Sequence, residues 1–110
     1  MESDLNFRQY KISSNRYREL KYFCRQYREK KAKLCAMIQT VEDNATRRAE
    51  LEKDVTLIEQ AAAEAGKDLA GYIIRNVTDG TAFEYLGAPC GRSTFFRIRQ
   101  RFYYILDKRK

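Results

Sequence analysis

The chain has 110 residues and no histidine, with 22 Lys+Arg against 15 Asp+Glu, a net charge of +7 and 44% hydrophobic side chains. Without histidine there is no His-based triad, no His metal ligation and no His pH switch, and 5 Gly with 1 Pro are too few turn-formers for an all-β sandwich. Charged residues at 34% in one domain's length point instead to long solvated helices.

Residues 1–12 show no period and read as an arm, with Phe7, Tyr10 and Ile12 able to dock on the body. The acidic start Met1-Glu2-Ser3-Asp4 lacks the apolar core of a secretory signal. No apolar run in the chain reaches the roughly 18 residues of a membrane helix. Ser13 or Ser14 is a good N-cap, and neither Gly nor Pro follows until well past Thr40. Tyr17, Leu20, Cys24, Tyr27, Lys31, Leu34, Ile38 and Val41 alternate by three and four, a heptad register broken once at Lys31, with Phe23 and Met37 widening the stripe. This predicts one helix over roughly 14–40.

Glu42-Asp43-Asn44 marks a turn or an N-cap. Leu51, Val55, Ile58, Ala62 and Ala65 repeat the same spacing and predict a second helix over 45–65, closed by Gly66 at C′. Two long amphipathic helices on a short polar link pack as an αα-hairpin, and Ala61, Ala62, Ala63 and Ala65 allow close approach. Asp68 is placed to cap a third helix with Leu69, Tyr72, Ile73 and Val77 on its buried side, ended by Asp79-Gly80. Thr81 to Leu86 reads as a very short helix, Gly87-Ala88-Pro89 as a sharp turn, and residues from Gly91 or Arg92 to Lys108 as a last helix. Phe95, Ile98, Phe102, Ile105 and Leu106 form its inner face. The expected fold class is all-α: an arm and hairpin over 1–66, then a helix-turn-helix unit over 67–110 packed with it as one domain.

Cys24, Cys35 and Cys90 are an odd set with no CxxC spacing, which suits neither a zinc site nor a disulfide scaffold. They are expected to be reduced thiols in a cytosolic protein, with Cys24 a small hydrophobe on its helix stripe. With no Gly-rich phosphate loop and no metal-ligand cluster, neither an enzyme nor a cofactor is expected. Cys90 before a helix N-terminus is too little to propose a nucleophile.

Charge is unevenly spread: residues 1–40 carry a net +6, residues 41–80 a net −4, and residues 81–110 a net +5. A basic domain attracts polyanions, nucleic acid above all, by counterion release. On a wheel of the last helix Ser93, Arg97, Gln100 and Tyr104 fall opposite the apolar face, with Phe96 and Arg101 at its edges and Arg92 at its start. No acid lies between Arg92 and Tyr104, whereas an ordinary exposed helix mixes signs. Arg forks onto guanine, Gln onto adenine, and Ser bonds phosphate, so Arg92, Ser93, Phe96, Arg97, Gln100, Arg101 and Tyr104 form the expected DNA face. A short helix, a turn with Gly and a longer Arg-rich helix is the sequence form of a helix-turn-helix. A secondary basic face lies on the first helix at Arg18, Lys21, Arg25 and Arg28, among Arg16, Lys30, Lys33 and Tyr22. Glu50, Glu52, Asp54 and Glu59 of the second helix would neutralise part of it within a hairpin.

The run Gly91-Arg92-Ser93-Thr94-Phe95-Phe96-Arg97-Ile98-Arg99-Gln100-Arg101-Phe102 resembles the recognition helix of phage transcriptional regulators of the RinA/ArpU type, which in turn resemble the helix-turn-helix of sigma-factor region 4. Thr94, Phe95 and Ile98 carry the match. Tyr17-Arg18-Glu19-Leu20-Lys21-Tyr22-Phe23-Cys24 is similar to the opening of small proteins from clostridial prophages. The resemblance implies a phage or prophage DNA-binding regulator in a bacterial cytoplasm, reading a major groove of double-stranded DNA with its last helix. A homodimer would cover surplus apolar helix surface and pair two half-sites. A reading from a different class is a phage-encoded inhibitor of a host protein or nucleoprotein, anti-CRISPR-like or anti-sigma-like, presenting Glu42, Asp43, Glu50, Glu52 and Asp54 to a basic channel.

Overall fold

A computed structural model describes residues 12–38 and 45–110, and among them every regular element is helical. Five α-helices follow in order: α1 Ser14–Arg25, α2 Tyr27–Ile38, α3 Ala45–Ala65, α4 Ala70–Asp79 and α5 Arg92–Arg109. Single 3-10 turns, Lys67–Leu69 and Phe83–Tyr85, precede α4 and α5. The expectations for Phe7, Tyr10, Val41 and the Glu42–Asn44 turn lie outside the described residues. No helix among the described residues is long and apolar enough to cross a membrane.

Ser13 is the N-cap of α1: its backbone is extended and its Oγ accepts from the Arg16 N–H at 3.1 Å. The single helix expected over 14–40 is interrupted at Gln26, whose N–H reaches back three residues to Phe23 O at 3.3 Å. The ladder resumes at once, with Lys30 N–H to Gln26 O at 3.0 Å. The two halves serve different partners, α1 packing on α4 and α5 and α2 on α3. The interruption lets one sequence stripe meet both.

The second stripe is realised as expected, with Leu51, Val55, Ile58, Ala62 and Ala65 all buried. Ala61, Ala62 and Ala65 are buried and let α3 pack against α2, α4 and α5, whereas Ala63, expected beside them, is exposed. Gly66 after it is extended, φ −171°, so no left-handed cap explains it. A Cβ there would lie 3.0 Å from Ile98 Cγ2, which is the close approach that calls for glycine. Asp68 lies in the 3-10 turn and makes no cap; α4 starts after Leu69 without a side-chain cap. Gly80 ends α4 in the left-handed region, φ 74°, its N–H bonded to Asn76 O at 3.0 Å.

The helix expected over 81–86 contracts to the Phe83–Tyr85 turn. Gly80 and Gly87 both have positive φ, 74° and 69°. The six residues between them are too few to pay for an α-helical nucleus. In α5, Phe95, Phe102 and Leu106 are wholly buried, while Ile98 and Ile105, expected beside them, are only partly so. Tyr103 is buried in their place. Leu20, Cys24, Ile58, Ala62, Ile73, Val77, Phe95, Phe102 and Leu106 belong to one core cluster, so 12–65 and 69–106 share a single interior.

Candidate nucleic-acid interface

α5 keeps part of its expected polar face. Ser93, Arg97 and Arg101 are exposed and lie one turn apart along one side. Gln100, expected to point outward, is buried at 6% exposure, and its Oε1 has no hydrogen-bond partner. α1 covers that flank: Arg16 Nε donates to Asp107 Oδ1 at 2.5 Å, and the Tyr17 and Tyr103 rings meet edge-on at 5.0 Å. Gln100 lies one turn before Tyr103 and two before Asp107, so it falls on the covered side.

Arg92, Phe96 and Tyr104 are engaged with neighbours. Arg92 pairs with Glu84, whose carboxyl is held below its ordinary range mainly by that hydrogen bond. Phe96 is half-buried against Phe95 and Phe83, centroids 5.6 and 6.2 Å away. The guanidiniums of Arg92 and Arg99 lie 5.2 and 4.5 Å from its ring, so Phe96 organises cations rather than offering a bare stacking face. Tyr104 is half-buried with the Lys108 ammonium 5.5 Å from its ring.

The secondary basic face, split between α1 and the start of α2, divides in the same way. Arg28 is spent on a two-pronged pair with Asp79, its Nη2 donating to Oδ2 at 2.6 Å. That pairing holds the Asp79 carboxyl below its ordinary value, chiefly through the hydrogen bonds from Arg28. Arg18, Lys21 and Arg25 stay exposed, and with Tyr22, itself 72% exposed, they line a groove along the outer flank of α1. Lys21 and Arg25 also reach a second concavity of about 200 Å³ between α1, α4 and α5. Arg99 enters it from α5, beside Asn76, Gly80 and Tyr103.

Among the described residues Arg16, Arg28, Lys30, Lys31, Arg92 and Arg109 each hold a carboxylate. Arg18, Lys21, Arg25, Arg99 and Arg101 hold none among those residues, and no described acid lines either concavity. Burial keeps the Tyr103 phenol protonated well beyond its usual range, so it presents an O–H and not a phenolate. Burial likewise pushes the Cys24 thiol up to about 12, which leaves it a packed hydrophobe beside the cleft and no nucleophile.

Sequence reasoning placed Lys21 and Arg25 here and missed Arg99, Asn76 and Tyr103. Arg99 falls only about 40° from Phe95 on a helical wheel at 100° per residue. A charge on the apolar arc was the available signal, because such a residue must find a partner or a ligand. No family model matches the chain, and no curated protein or solved structure is significantly similar to it.

Proposed function

We propose that this chain binds double-stranded DNA through the basic surface of α1 and α5 and acts as a regulator of transcription in a mobile genetic element. The observation that carries the reading is the lining of the two concavities: Arg18, Lys21, Arg25 and Arg99 gather there with no carboxylate among the described lining residues. Cations held away from acids raise the local potential, which is what counterion release from a duplex rewards. In this reading the α1 flank and the cleft meet phosphates. Base contacts fall to Ser93, Arg97 and Arg101, since buried Gln100 cannot reach an adenine edge.

Of the acids the inhibitor reading would present, Asp54 accepts from Lys30 Nζ at 2.8 Å, Glu50 and Glu52 are exposed, and Glu42 and Asp43 lie outside the described residues. Selection from a pool of random duplexes tests the regulator. A regulator enriches a short motif, and Arg101→Ala relaxes one position of it by about 1–3 kcal/mol. A pool that is not retained at low salt, or that returns unenriched, contradicts the reading.

A further inference from the structure

Lys21, Arg25 and Arg99 come from two helices, converge on one concavity, and have no carboxylate partner among the described residues. The bland account is that they cap the C-terminus of α4, where Gly80 lies. Magnitudes decide against it: a helix C-terminus carries about −0.5 of a charge, which one cation answers, and three are present. Arg25 suffices for the cap. A Cβ on Gly80 would lie 2.8 Å from its Nη1, so the missing side chain is what lets the guanidinium rest there.

Arg99 is set in place rather than loose. Its Nη1 donates to Asn76 Oδ1 at 3.1 Å, and its guanidinium stacks 4.5 Å from the Phe96 centroid. Asn76 is fixed in turn, its Nδ2 donating to Thr81 O at 2.8 Å, which turns Oδ1 toward the arginine. The Arg99 Nε is buried and has no hydrogen-bond partner. A side chain held this way has already lost the rotamer freedom that binding would otherwise cost. Forked guanidiniums match the paired oxygens of a tetrahedral anion, which single-atom chloride lacks. At about 200 Å³ the space takes a handful of waters, or a phosphate group, and no base pair.

We propose that this cleft is a binding site for one phosphate group, gripped by Lys21, Arg25 and Arg99. The group is a backbone diester of nucleic acid or a terminal or free phosphate. The inference rests on the duplex reading only in the first case.

The test is a heteronuclear NMR titration of the full chain with sodium phosphate, against sodium chloride at matched ionic strength. The Gly80 amide and the Asn76 side-chain amide should shift saturably with phosphate and not with chloride. Lys21→Gln should weaken phosphate about tenfold, Lys21→Arg should restore it, and Arg47→Gln, the same charge change outside the cleft, should leave it unaltered. A hydroxyl-ended duplex that displaces phosphate from these signals identifies the diester. Displacement only by a strand with a phosphorylated end identifies the monoester. A chain that takes phosphate but no duplex keeps the cleft and removes the DNA reading. Absence of saturable shifts at Gly80 and Asn76, or equal weakening by Lys21→Gln and Arg47→Gln, overturns the site.

Discussion

Replacing Phe102 with Ala probes the packing on which every surface described above depends. The Phe102 side chain is fully buried, and its ring meets Tyr103 edge-on with centroids 5.1 Å apart. Burial of a phenyl group contributes about 1.5–3 kcal/mol, and the aromatic pair adds about 0.5–1.5 kcal/mol. With the cavity left behind, the total loss should be about 3–5 kcal/mol. The whole stability of a domain this size is about 5–15 kcal/mol. Unfolding entropy of about 2.1 cal/mol/K per residue then converts a loss of about 4 kcal/mol into a melting temperature lower by roughly 17 °C. Ile105→Ala, at a position the sequence pattern treats as equivalent, should cost only about 1–2 kcal/mol, because that side chain is half-exposed. Calorimetry on both variants, with urea titrations to check that the m-value holds, measures the contrast. If Phe102→Ala melts within about 5 °C of the parent, or Ile105→Ala costs as much, α5 is rotated from the register described.

Gly66→Ala should cost about 1–2 kcal/mol by pressing a Cβ on Ile98, and adding Ile98→Leu, which lacks the methyl on Cβ, should recover most of it in urea unfolding. With a thiol reagent at mildly alkaline pH, exposed Cys35 should label first and Cys24, its thiol pushed up to about 12, only on unfolding; fast labelling of Cys24 in the native chain would contradict its burial. Arg28 depresses the Asp79 carboxyl, so the pair's contribution is present above the unfolded carboxylate value near 4 and is lost as pH falls through the lower folded value. Asp79→Asn should therefore flatten the acid limb of a melting-temperature profile, and an unaltered limb would remove the pair from the account.

Periodicity revealed α3 well because Leu51, Val55, Ile58, Ala62 and Ala65, which share one stripe, are all buried. It could not reveal the interruption at Gln26, since the three-four spacing runs through that residue unchanged and only the different partners of α1 and α2 require the break. The segment from Thr81 to Leu86 has helix-compatible residues, but the two left-handed glycines beside it leave no room to nucleate. Gln100 was misplaced for a related reason. A wheel divides a helix into one inner and one outer arc, whereas α5 is covered on a second flank by α1 through Arg16 and Tyr17. Of the candidate site, Arg18, Lys21, Arg25 and Arg101 were legible as basic positions. Arg99 was not, because its partner Asn76 is 23 residues away in sequence.

The most direct test of the central claim is the salt dependence of duplex binding. Fluorescence anisotropy of a labelled mixed-sequence duplex, taken from low to physiological salt, gives the slope of log K against log salt. Arg18→Gln and Lys21→Gln should each lower its magnitude by about one, and the double variant by about two, at unchanged melting temperature. A wild-type chain that forms no complex at low salt, or a double variant that keeps the wild-type slope, would contradict the account.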